Sequence, residues 1–266
     1  GQDHGGTMRA GHDAAAAVAR IRDLTDRAFV GDPTGDPAFD ALGLLLTEVA
    51  IPRPVIDDIV AGFELDAADW RPRSEADLLR YCYHVAGAVG VAMALVMGVD
   101  PADETTLDRA SDLGIAFQLA NIARDIAEDA AADRCYLPVD WLVELDIPPG
   151  QHMHPAFRPR LAVMAKWLAE MAGEYEASAR WGARKLPPRS RWAVLAAAGI
   201  YGDIARAVRR RGDHAWDHRT ATTRAAKFGW VARAGWSVLR RPPLRRIARD
   251  GLWTRPRFAG DAEAAQ

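Results

Sequence analysis

The chain has 266 residues, 49% hydrophobic and 26% charged, with a formal net charge of −2 at pH 7. That length supports a substantial core in one large domain, and the composition is that of a globular protein, not of a low-complexity or disordered one. Two cysteines, Cys82 and Cys135, exclude a disulfide framework and read as reduced thiols of a cytosolic protein.

The small net charge hides an asymmetry. Residues 1–133 hold 24 acidic and 10 basic side chains, whereas residues 206–258 hold 15 basic and 3 acidic. The opening Gly1-Gln2-Asp3-His4-Gly5-Gly6 does not read as a secretory leader. In chain order, Asp13 to Val30 is a helix, with Val18, Ile21, Leu24 and Ala28 on one face. Gly31 to Pro37 is a turn. Pro37 to Val49 and Pro54 to Asp66 are further helices. Ser74 to Met97 is a long apolar helix, read as core because His84 and two tyrosines interrupt it. Its small residues Ala86, Gly90 and Ala94 invite a close neighbour, and Val85 and Val89 present smooth apolar surface with Tyr81 at one end. Asp103 to Asp129 is the next helix, and Leu137-Pro138 follows it after a short polar segment. Gly150 to Pro159 is a loop, and Arg160 to Arg184, Ser190 to Arg211 and Thr223 to Leu239 complete an all-α chain.

The chemistry lies on the fifth of these helices. Asn121, Asp125 and Asp129 recur at every fourth residue and stack on one face, with Gln118 beside them. Oxygen ligands at that pitch suit Mg²⁺, which takes one or two carboxylates and completes its shell with water or substrate phosphate. This polar stripe lies about a quarter turn from the apolar stripe Ile115, Leu119, Ile122 and Ile126, where a solvated face would lie opposite it. A diphosphate site against an apolar wall is the reading that the residues support.

Two stretches carry a resemblance. Tyr81-Cys82-Tyr83-His84-Val85-Ala86-Gly87-Ala88-Val89-Gly90, and the run from Gln118 through Asn121, Arg124, Asp125, Glu128 and Asp129 to Arg134-Cys135-Tyr136-Leu137-Pro138, resemble the signature stretches of the squalene and phytoene synthases. The likeness leans to the bacterial phytoene synthases and extends to about Arg219. It implies a class I isoprenoid synthase helical bundle around a central cavity, with residues 1–266 as one domain and residues 224–266 as a basic Trp/Arg-rich tail. It implies head-to-head joining of two geranylgeranyl diphosphates to phytoene through a cyclopropylcarbinyl diphosphate, with Mg²⁺ or Mn²⁺ and no nicotinamide cofactor.

By the same resemblance, Asn121, Asp125 and Asp129 hold metal, and Tyr81, Asp125, Asp129 and Tyr201 are catalytic. Asp66, Val85, Gly90, Gln118, Arg124, Arg134 and Tyr136 contact substrate. Family members also carry a first aspartate-rich motif on an early helix. That motif is expected just ahead of Gly1, so the chain as it stands is expected to be N-terminally truncated, with weak Mg²⁺-diphosphate binding and little activity. The alternatives are a farnesyl-diphosphate-using squalene, hydroxysqualene or dehydrosqualene synthase, and a non-catalytic member acting as a partner protein. The Arg-rich tail with Trp230, Trp236 and Trp253 lacks a nucleic-acid module and reads as a membrane-surface helix. The expected location is therefore the cytoplasm, with peripheral membrane contact and no nucleic acid.

Overall fold

Local signals start several of the helices. The computed structural model describes residues 4–68, 70–240 and 247–258, with side chains from residue 14. Residues 241–246 and 259–266 of the expected tail lie outside the described residues. Helix α1 runs His4–Val30, nine residues ahead of the expected start at Asp13. Asp36 accepts from the Ala38 N–H and Pro37 opens the first turn of α2 (Pro37–Glu48). Helix α3 is Arg53–Ala67. These three helices form one compact unit, assigned to Gly1–Trp70 with Arg257–Gln266. Within it, Arg22 pairs with Glu64 and buried Leu24, Val55 and Val60 supply the core.

The second unit is Arg71–Pro256. A Ser74/Asp77 capping box starts α4 (Glu75–Cys82). The apolar helix then continues through a π-helical turn at Tyr83–Gly87 into α5 (Ala88–Val96). By composition Glu75–Val96 could cross a membrane, yet half of its apolar window is buried within the protein, as a core helix requires. Asp103 caps α6 (Glu104–Ala131) through the Thr106 N–H. A short α7 (Val139–Glu144), to which the sequence reading assigned no element, follows directly on Leu137-Pro138. Helices α8 (Arg158–Gly182), α9 (Pro188–Arg211) and α10 (Arg224–Arg240) complete the set. Among the described residues there is no strand.

Helix α6 is the axis of this unit, packed by α8, α9, α5 and the π turn. Its stripe Ile115, Leu119, Ile122 and Ile126 is buried as expected. Close approach depends on glycine. A Cβ on Gly90 would fall against the Ala110 carbonyl, and one on Gly114 would meet the Ala86 carbonyl and lie 2.7 Å from the Gly87 Cα. The small-residue stripe of the apolar helix is thus a packing seam, and it fixes the wall carrying Tyr81 and Val85 against the helix carrying the carboxylates.

Residues 224–240 and 247–256 of the tail belong to this unit. Trp230 lies against Gly199 and donates through its Nε1 to Asp203 at 2.5 Å. Trp253 packs on Tyr83, ring centroids 5.2 Å apart, and its N–H donates to the Tyr175 hydroxyl at 3.0 Å. Of the three tail tryptophans expected at a membrane surface, Trp236 is the one that is well exposed, at 57%. The other two make packing contacts because aromatic rings this large find more area against helix backbone than at the surface.

Candidate active site

Three consecutive turns of α6 place Asn121, Asp125 and Asp129 on one half-buried face. Gln118 is half-buried on the same helix. Arg124 donates to both oxygens of Asp125, through Nε at 2.7 Å. Arg219, from the segment after α9, adds a second guanidinium at 3.5 Å from Asp125 and 3.1 Å from Glu128. The Arg124/Glu128 pair that helical spacing allows is replaced by these two contacts. Arg124 is held above its ordinary value, first by its hydrogen bond to Asp125.

Asp129 has a different environment. Burial, then the charge of Asp125, push its carboxyl up to about 6, and Arg134 opposes the shift. Arg134 is exposed after the end of α6 and lines a small cleft with Asp129, Tyr136 and the buried His152. Tyr136 stacks on buried Tyr81, centroids 5.0 Å apart and planes 22° apart. Sequence spacing linked Tyr81 to this site only through the resemblance; the stack is the physical link.

On the other side, Tyr201 of α9 stacks on Phe117 at 4.1 Å. Phe117 lies one turn before Asn121 and lines a cavity of about 410 Å³. Val85 and Gly90 line it, as expected. Of its lining side chains only Thr106 and Arg109 are polar. An apolar cavity therefore begins where the polar stripe ends. Asp66 lies in the first unit, exposed near the end of α3.

The donor set fits a hard divalent cation. Burial first, and then the Asp125 charge one turn away, lift the Asp129 carboxyl to about 6, and a cation between the two carboxylates would offset both costs. Among the described residues no three His, Cys, Asp or Glu side chains converge. An ion here would complete its shell with water and diphosphate oxygens, the usual habit of Mg²⁺.

A pH dependence follows. Between the ordinary 3.8 and about 6, the native carboxyl of Asp129 holds a proton that the unfolded chain has released. Its contribution to stability therefore falls as pH rises through that window. Above it the crowding is complete and a bound cation relieves most. The thermal midpoint should rise more on adding Mg²⁺ at about pH 7.5 than at about pH 5. Melting curves with equal gains at both pH values would remove Asp129 from the ligand set.

Sequence reasoning missed Arg219, Phe117, His152 and Trp216. Trp216 donates from Nε1 to the Ala123 carbonyl at 3.1 Å and so ties the segment bearing Arg219 to α6. The basic bias of residues 206–258 was the only sequence signal for Arg219.

The comparisons with known proteins agree with this geometry. Residues 3–227 match the squalene/phytoene synthase family. The chain is 44% identical to a phytoene synthase of Pseudescherichia vulneris over 96% of its own length and 83% of that protein. It is 42% identical to a 15-cis-phytoene synthase of a Paracoccus species, over 97% and 84%. In three dimensions it resembles a dehydrosqualene synthase, with a TM-score of 0.72 at 24% identity over 88% and 87% of the two chains. A squalene synthase from Alicyclobacillus acidocaldarius gives 0.67 at 22% identity, over 77% and 80%. Both likenesses give the fold, the helical isoprenoid synthase fold, and the family is one of prenyltransferases that act on prenyl diphosphates with a divalent metal. The chain belongs to the squalene/phytoene synthase family.

Proposed function

We propose that this protein joins two molecules of geranylgeranyl diphosphate head to head, through a cyclopropylcarbinyl diphosphate, to give phytoene for carotenoid synthesis. The observation that carries this is the junction of a carboxylate and guanidinium cluster with an apolar cavity of about 410 Å³. The phytoene synthases that it matches at 40–44% identity support the same product. Both described units are read as parts of one synthase domain, in keeping with a family match that spans residues 3–227.

Mg²⁺ bound by Asn121, Asp125 and Asp129 would neutralise the charge that develops on the departing diphosphate. Arg124, Arg134 and Arg219 supply guanidinium forks suited to diphosphate oxygens, and Gln118 offers an amide beside them. Tyr81 and Tyr136 form an aromatic pair that can steady an allylic cation. The Phe117/Tyr201 stack stands between the polar stripe and the cavity, whose apolar walls, including Val85 and Gly90, would receive the prenyl chains and limit water near the cation. Asp66 is retained as a substrate-side residue on the resemblance alone.

The second reading keeps the same fold and takes farnesyl diphosphate. Supplying both diphosphates in equal amounts distinguishes the two. Forty-carbon product in excess supports the proposal, and thirty-carbon product in excess replaces it.

The protein is further proposed to act in the cytoplasm against a membrane surface. Cys82 and Cys135 are free thiols, in keeping with that compartment. Helix α10 exposes Phe228 (75%), Trp236 (57%) and Leu239 (80%), while Arg224, Lys227 and Arg240 are exposed on the same helix. Aromatic and aliphatic side chains among cations suit an anionic bilayer. Changing these three to alanine should reduce co-sedimentation with anionic vesicles about tenfold. Unchanged co-sedimentation would rule out this face.

A further inference from the structure

The apolar cavity contains one charged side chain, and its charge points out. Arg109 is buried, and it lines the cavity wall next to Gly182. A Cβ on Gly182 would lie 2.5 Å from the Arg109 Cβ and 3.0 Å from its Cδ, so α8 meets the arginine stem with no space between. The guanidinium turns away from the cavity. One nitrogen donates to the Ser178 hydroxyl at 3.0 Å and carbonyl at 3.2 Å, and the other to the Ile247 carbonyl at 2.7 Å. The group also stacks on Trp181, 4.4 Å from the ring centre.

Ile247 begins the C-terminal arm, residues 247–256, which is clamped to α6 on both sides of Arg109. Arg249 donates to both oxygens of the buried Asp112 at 2.8 Å and lies 3.4 Å from Asp108. Arg255 pairs with Glu104 and lies 3.2 Å from Asp108. The Ser178 hydroxyl donates to Asp112 at 2.5 Å, so the acceptor holding Arg109 on α8 is fixed by the same carboxylate that holds the arm. A guanidinium with these acceptors has no reason to enter an apolar space that offers none.

Arg109 is also at the right depth. It precedes Asn121 by twelve residues, about 18 Å of helix rise, on the side away from the carboxylates. A chain anchored by its diphosphate at the polar end would run toward it.

We propose that Arg109 is the specificity-determining stop that limits the length of prenyl chain admitted, and that Arg249 is the positioning residue that keeps it in place through the arm. This rests on the reading of the cavity as a prenyl-diphosphate site.

The test is calorimetric titration, with Mg²⁺, of two non-reactive thiolodiphosphates: the geranylgeranyl compound and the geranylfarnesyl compound, one isoprene unit longer. The unchanged protein should prefer the shorter one. Arg109→Ala should reduce that preference about tenfold, the scale on which apolar pockets discriminate by size. Arg109→Leu, which shortens the stop but keeps the wall apolar, should act in the same direction and guards against loss of fold in the alanine variant. Arg249→Ala should shift the preference the same way, and Arg249→Lys should restore it in part. An unchanged preference in a folded Arg109→Ala or Arg109→Leu protein overturns the assignment of Arg109. A shift with Arg109→Leu but none with Arg249→Ala overturns the role of the arm. Failure of the unchanged protein to bind either compound overturns the prenyl-diphosphate reading and this inference with it.

Discussion

Asp125→Asn is expected to lower turnover of geranylgeranyl diphosphate by about a thousandfold or more, the scale of losing a central electrostatic contact to a departing charge. The substitution keeps the shape of the side chain and removes its charge. Asp125 is the point where the polar stripe of α6 meets two guanidinium groups, Arg124 and Arg219. Asparagine would weaken cation binding directly and would leave both arginines without the carboxylate that orients them. It should not unfold the protein, because Arg219 is 58% exposed and Asp125 is not in the core. Steady-state product formation and Mn²⁺ affinity, measured on the same preparation, check this. Turnover within tenfold of the unchanged protein would move the chemistry away from α6.

The largest effect on stability is expected from Gly114→Val, a loss of about 3 kcal/mol or more from overpacking. The new side chain would meet the Ala86 carbonyl and the Gly87 Cα, which are backbone atoms that cannot rotate aside. Helix α6 and the π turn would have to separate, and the π turn lies in the helix that carries Tyr81 and Val85. Activity should therefore fall with stability. Gly173→Ala is the control. Nothing lies within 4 Å of its added Cβ, and a glycine in the middle of α8 costs about 0.5–1 kcal/mol relative to alanine, so this change should stabilise. Urea denaturation would show opposite shifts in midpoint at constant slope. A Gly114→Val midpoint equal to that of the unchanged protein would contradict the close seam.

Much of this architecture was legible in the residues. Apolar periodicity placed seven long helices close to their observed ends; Arg160 to Arg184 was expected where Arg158–Gly182 is found. The stacking of Asn121, Asp125 and Asp129 followed from helical pitch alone. What escaped notice was of three kinds. Helix α7 has six residues, too few for a period to register. The π turn at Tyr83–Gly87 leaves no mark on an apolar run; it is visible only in the fold, where Gly87 lies close against Ser111 and Ile115 of α6.

The third kind is long-range pairing. Arg249 and Asp112 lie 137 residues apart, and no local pattern connects them. The charge asymmetry of the chain did hint at such pairs, but it was read as a basic tail facing a membrane. The structure uses part of it internally, with Arg249 and Arg255 neutralising Glu104, Asp108 and Asp112. Arg219 is a similar case, a basic residue whose place beside Asp125 depends on the turn made after α9.

In the proposed function, the carboxylate face of α6 drives metal-dependent diphosphate departure beside the apolar cavity. The most direct test is to incubate the protein, isolated from its source, with labelled geranylgeranyl diphosphate and to measure phytoene and released diphosphate together, with Mg²⁺ and with chelator. Phytoene is expected, with two diphosphates released for each, and chelator or Asp125→Asn should abolish both. Diphosphate release that persists in chelator, or that survives Asp125→Asn, would contradict the proposed function.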